Sequence, residues 1–254
     1  MFVLLGAISM KCERDHASIG AMQLERILHQ QGFGNRKACR ALARQQRVMV
    51  AAQICDDPFA ELVTEGLVFS VDGVDWSYHE KATLVLHKPA GYECSRRPLH
   101  HPSVYSLLPL PLLERGVQSV GRLDEDTTGL LLFTDDGALN HRLTSPKHKV
   151  CKTYHVQLKH PADAELVAAL LHGVNLHDAP EPVAAADCSL LTERCLRLVV
   201  TEGKYHQVKR MVAAVGNRVE ALHREAMGAY RLPDDLAPGQ WRWLEEDEVK
   251  ELWA

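Results

Sequence analysis

In the stretch Gly121-Arg122-Leu123-Asp124-Glu125-Asp126-Thr127-Thr128-Gly129, three acids and an arginine crowd a short loop, and the apolar run Leu130-Leu131-Leu132-Phe133 follows directly. Carboxylates do not enter a dry interior without partners, so a polar cluster beside a buried run must be held by something. Chemistry is therefore sought here first. Clustered carboxylates can ligate a divalent metal. The spacing of Asp124, Asp126, Asp135 and Asp136 is not that of an EF-hand loop, and Asp135-Asp136-Gly137 has the composition of a turn. Asp126, ahead of Thr127-Thr128, reads as local hydrogen bonding in a turn. Asp124 is left as either a reactive carboxylate or half of a structural ion pair with Arg122.

Other chemistries have weaker handles. His100, His101, His141, His148, His155, His206 and His223 do not fall in H-E-x-x-H or a similar ligand spacing, so they read as surface or hydrogen-bonding histidines and no metal is expected. The seven cysteines include no C-x-x-C pair, which points to reduced thiols and a cytoplasmic location rather than a disulfide framework. There is no G-x-S-x-G elbow, and no glycine-rich phosphate loop offers a place for ATP or NAD. No cofactor is expected.

The elements that must position these residues can be read from periodicity. The run at residues 130–133 is too short for a helix and lies between Gly129 and Gly137, so it reads as a buried strand. Residues 84–86, 152–158, 195–200 and 218–222 are further strands, with Tyr154, Val156 and Leu158 on one face. Val208, Met211, Val212 and Val215 form a helical core stripe, and His206, Lys209 and Arg210 begin that helix off its apolar face. Helices are also expected over 138–143 and 162–172, with an acidic one at the C-terminus. Strands and helices do not alternate regularly, so the larger domain is α+β.

Ahead of it, residues 22–80 read as a helix, a second helix capped by Asn35, a strand, and a hairpin turning at Asp72-Gly73. The formal net charge of −4 does not suggest a nucleic-acid binder. The distribution does: residues 22–50 hold Arg26, Arg36, Lys37, Arg40, Arg44 and Arg47 against Glu25 alone. Arg36, Lys37, Arg40 and Arg44 recur along one helix face, which is either a solvated surface or a clamp for an RNA backbone. Residues 1–21 lack the layout of a signal peptide or a membrane span and read as a disordered extension or as the product of a start codon set too early.

Four stretches change the weight of these readings. They are residues 121–130 quoted above, Leu86-His87-Lys88-Pro89-Ala90-Gly91-Tyr92, Lys152-Thr153-Tyr154, and Glu202-Gly203-Lys204-Tyr205-His206-Gln207-Val208-Lys209-Arg210-Met211. Leu222-His223-Arg224 and Asp235-Leu236-Ala237-Pro238-Gly239 follow in the same order. Together they resemble the motifs of the ribosomal-RNA pseudouridine synthases over roughly residues 22–250, in the small-subunit (RsuA-like) branch. The resemblance implies a small α-L-type RNA-binding domain, similar to that of ribosomal protein S-four, over 22–80. It implies a catalytic domain over 83–254, built on a mixed, largely antiparallel sheet flanked by helices.

The function implied is isomerisation of one uridine of 16S rRNA to pseudouridine, without a cofactor. The partner is 16S rRNA or a small-subunit assembly intermediate, met by a monomer with no membrane association. By motif match Asp124 is the essential acid, attacking the ribose or removing its 2′ proton. Lys209 is its cation, with Arg210 as the alternative, and Tyr154 stacks on the flipped base. Arg122, His206, Arg210, Lys88, Lys152 and the helix carrying Arg36, Lys37, Arg40 and Arg44 contact RNA. Three alternatives remain: a large-subunit synthase, a catalytically idle rRNA-binding assembly factor, or a hydrolase using Asp124 with a second carboxylate.

Overall fold

The computed structural model describes residues 20–177 and 179–253. The extension expected over residues 1–21 thus lies, up to residue 19, outside the described residues, and Ala21 already belongs to a strand. The chain divides into two compact units, with the division between Tyr78 and His79. Among the described residues no helix is long and apolar enough to cross a membrane.

The first unit runs β1 (Ala21–Gln23), α1 (Leu24–Gln30), α2 (Arg36–Arg44), β2 (Val48–Val50), β3 (Gln53–Ile54), β4 (Glu61–Val63), β5 (Val68–Val71) and β6 (Val74–Ser77). The Asn35 side chain accepts the amide of Ala38 at 3.0 Å and so caps α2. Leu24, Ile27 and Leu28 of α1 pack on Cys39 and Ala43 of α2 and on Val48, Phe69 and Val71 of the sheet. The β5–β6 hairpin turns on Asp72 (φ 53°) and Gly73 (φ 78°), two left-handed positions that match strand twist.

The second unit comprises β7 (Thr83–Lys88), α3 (Leu110–Arg115), β8 (Gln118–Ser119), β9 (Thr128–Thr134), α4 (Gly137–Thr144), β10 (Lys152–Leu158), α5 (Ala164–His172), β11 (Asp187–Thr192), β12 (Cys195–Val200), α6 (Gln207–Ala214), β13 (Val219–Met227), β14 (Tyr230–Arg231), β15 (Trp241–Trp243) and α7 (Glu246–Glu251). Its sheet has the order β11-β12-β10-β13-β9-β7-β15, with β14 on β13 and β8 on β9. Neighbours are antiparallel except β13 and β9, which run parallel. The α+β class with a mixed, largely antiparallel sheet is as expected.

Strand β9 is central and covered on both faces, which is why its sequence is a continuous apolar run. Leu130 and Leu132 join a core with Val85, Leu143 of α4 and Leu252, while Phe133 meets Tyr105 edge to face at 5.2 Å. Leu130, Leu131, Leu132 and Phe133 are fully buried, each stabilising the fold by roughly 1.5–3 kcal/mol. Strand β13 approaches so closely that a Cβ at Gly129 would lie 2.2 Å from the carbonyl oxygen of Arg224. Only glycine fits there, and the close approach brings Arg224 beside the loop that carries Asp124.

Candidate active site

Asp124 begins a turn closed by the Thr127 amide on its carbonyl at 3.1 Å. The turn is fastened from behind. Lys88, fully buried at the end of β7, donates to the carbonyls of Pro89 (3.1 Å), Glu125 (3.1 Å) and Thr127 (2.8 Å). Gly91 adds its amide to the Glu125 carbonyl at 2.7 Å. Burial pushes the Lys88 ammonium below its ordinary range, the cost of this interior position. The surface grip on RNA expected of Lys88 is therefore corrected: its three donors are spent on the loop backbone.

Helix α6 faces the turn. His206 precedes it in a left-handed conformation (φ 48°), uncommon for a residue with a side chain. Its Nε2 lies 3.2 Å from Asp124 Oδ1, and the exposed Tyr205 ring stacks on it at 3.8 Å. One turn further, Lys209 Nζ lies 3.1 Å from Asp124 Oδ2 and 2.7 and 2.9 Å from the oxygens of Asp126. Burial pulls the Lys209 ammonium down, but its hydrogen bonds to Asp126 and Asp124 outweigh that and leave it above its ordinary value. Burial likewise pushes Asp126 up, and Lys209 more than reverses it.

Two expectations change here. Asp126 is not merely a turn former; it shares Lys209 with Asp124. Asp124 takes Lys209 and His206 as partners rather than Arg122. Arg210, the alternative cation, instead donates to the Tyr205 carbonyl at 3.1 Å and lies 3.3 Å from His177 Nδ1.

A cavity of about 170 Å³ opens beside Asp124, lined also by Arg122, Lys152, Tyr154, His206, Lys209, Leu222 and Arg224. Tyr154 is nearly buried and belongs to the core and the cavity wall at once. Arg122 is exposed at the cavity. Lys152 is buried, with Nζ on the Val150 carbonyl at 2.9 Å, so it is not a surface cation either. Arg224 and Gln207 line the cavity without having been assigned roles from sequence. Gln207 Oε1 accepts the Lys204 amide at 3.0 Å and shapes the approach to α6. The sequence signal for both was their place within the quoted motifs.

In the first unit, Arg36, Lys37 and Arg44 are exposed on α2. Arg40 differs: its guanidinium binds the buried carboxylate of Glu25, reaching across from α1. The helix face is thus not free of acid, and one of its four cations is neutralised within the unit.

Chemically, the second unit presents a carboxylate held by an ammonium and an imidazole, facing a cavity with an aromatic wall. Such a group can act as nucleophile or base on a substrate whose flat ring is drawn into that cavity. The RNA pseudouridylate synthase family matches residues 82–214 of this chain. The ribosomal small subunit pseudouridine synthase A of Salmonella typhimurium is 41% identical over 229 residues, covering 90% of this chain and 98% of the relative. The protein of the same name from Escherichia coli is 40% identical over the same shares. A crystal structure of a pseudouridylate synthase superposes with a TM-score of 0.65 at 34% identity, covering 91% of this chain and 99% of that one.

Proposed function

The chain belongs to the RNA pseudouridylate synthase family, and we propose that its substrate is one uridine of 16S ribosomal RNA. The relatives that match along almost their whole length are named for the small ribosomal subunit, which favours that branch over a large-subunit target. The observation that carries the catalytic reading is Asp124, held by Lys209 at 3.1 Å and His206 at 3.2 Å beside the cavity that Tyr154 lines. An idle RNA-binding factor has no need of that arrangement.

The target nucleotide leaves its stack and its base enters the cavity against Tyr154. Base stacking of this kind contributes roughly 1–3 kcal/mol. Asp124 then acts on the ribose, either by attack at C1′ or by taking the 2′ proton, and the C1′–N1 bond breaks. The detached uracil turns, and C5 bonds to C1′. Lys209 and His206 hold the Asp124 carboxylate in line throughout. Arg122, exposed at the cavity, contacts the phosphate backbone, and Arg210 lies outside the reaction. The first unit is an RNA-binding module of the kind found in ribosomal protein S-four, holding the backbone through Arg36, Lys37 and Arg44. The enzyme works as a monomer in the cytoplasm, on 16S rRNA or a small-subunit assembly intermediate.

The test is nucleotide-resolution pseudouridine mapping of 16S and 23S rRNA from a strain lacking the gene and from the complemented strain. One 16S position should lose and regain its modification. Loss confined to 23S rRNA, or no loss at all, contradicts the assignment.

A further inference from the structure

Two cations in the cavity wall have no part in the steps above. Lys152 opens β10 and Arg224 lies on the adjacent β13, 7% and 3% exposed. Tyr154 and Arg224 are register partners, and Lys152 is two residues from Tyr154, so all three side chains share one sheet face. Arg224 Nε donates to the Leu130 carbonyl at 2.7 Å, which fixes the guanidinium. One of its terminal nitrogens is buried without a hydrogen-bond partner. Among the described residues neither cation forms an ion pair, and Glu202, an acid in the same wall, is engaged by Lys204 at 2.5 Å. Burial first, then the charge of Arg224, depresses the Lys152 ammonium, and the charge of Glu202 offsets only part of this.

Neighbouring buried cations that no ion pair neutralises destabilise a fold unless a ligand brings negative charge to them. We propose that Lys152 and Arg224 hold the carbonyl oxygens of the target uracil and stabilise the negative charge the ring acquires as its bond to the ribose breaks. The inference rests on the reading that the cavity receives a flipped uridine. In that step the electron pair of the C1′–N1 bond leaves with the ring and spreads over N1 and its carbonyl oxygens. Asp124 compensates the electron-poor sugar. When C5 joins C1′, that pair becomes the new carbon–carbon bond, C5 releases a proton and N1 gains one, so the sum is an isomerisation. Preorganised donors aimed at developing charge are a large source of rate enhancement. A backbone phosphate fits this wall poorly, because it is tethered to a nucleotide on each side and cannot sit deep beside Tyr154.

The experiment measures single-turnover conversion of a saturating 16S rRNA fragment by wild type, Lys152→Gln, Lys152→Met and Arg224→Gln, with RNA affinity and Tm for each. Each substitution should slow conversion by about 100-fold or more. Affinity should stay within about threefold of wild type, because deep base contacts add little to backbone-dominated binding. Lys152→Met should not lower Tm, since it removes a buried charge held by no ion pair; a purely structural lysine would lower it. Wild-type conversion rates in the Lys152 and Arg224 variants overturn the inference, as does a loss seen only as weaker binding, the signature of phosphate contacts. If wild type itself makes no pseudouridine, the preceding reading fails instead.

Discussion

The two units use positive charge in opposite ways. On α2, Arg36, Lys37 and Arg44 stand in solvent at helical spacing, where charge acts over a Debye length and is screened by salt. Around Asp124, Lys88, Lys152 and Lys209 are buried or partly buried, and each has definite partners: three carbonyls, one carbonyl, and two carboxylates. The first arrangement tolerates rearrangement; the second depends on ångström placement. Composition makes the two look alike, since both are lysines and arginines among polar residues. What separates them is what surrounds each group.

That contrast can be broken by experiment. Lys209→Met should lower the saturated single-turnover rate by about 10²–10³-fold, the usual loss for a charge group acting on the reacting centre, with little change in RNA affinity. A change in affinity alone would place Lys209 with the α2 residues instead. Reversing Arg36, Lys37 and Arg44 together to Glu should leave the saturated rate unchanged. It should weaken binding and reduce the slope of log affinity against log salt by about two to three. An unchanged slope would show that RNA does not cover this helix.

Asp126→Asn should have the smallest effect. Its carboxylate is 58% exposed, so the loss in stability should stay below about 1 kcal/mol. The sign is fixed by its folded pKa, which lies below the ordinary value. The stability Asp126 contributes is present above the unfolded carboxylate pKa and disappears as pH falls through the folded one. Wild type and Asp126→Asn should therefore converge in Tm at acid pH, and a gap that persists there would rule out the ion pair as its source.

Much of this was legible in the chain itself. The 130–133 run, the α6 stripe, the Asn35 cap and the Asp72-Gly73 turn are local patterns, and each forms the expected element. Asp124, Tyr154 and Lys209 were named from motifs, and they meet at one cavity. The buried lysines were not legible, because a lysine is ordinarily exposed and only distant packing reveals otherwise. Lys88 is interior because Glu125 and Thr127 offer carbonyls nearly forty positions away, and Arg224 because Leu130 does so across a parallel strand pair. Asp126 looked like a turn residue since nothing in its neighbours announces Lys209. The strand β11 was missed because Leu190 and Leu191 are exposed and give no clear alternation.

On the proposed assignment Asp124 reacts while the rest of the molecule positions RNA against it. Tritium release from 16S rRNA carrying 5-tritiated uridine, compared between wild type and Asp124→Asn at saturating enzyme, tests it most directly. Wild type should release tritium, the variant should lose at least about 1000-fold of that rate, and RNA affinity should be nearly unchanged. Release from Asp124→Asn at a rate near wild type would contradict the assignment.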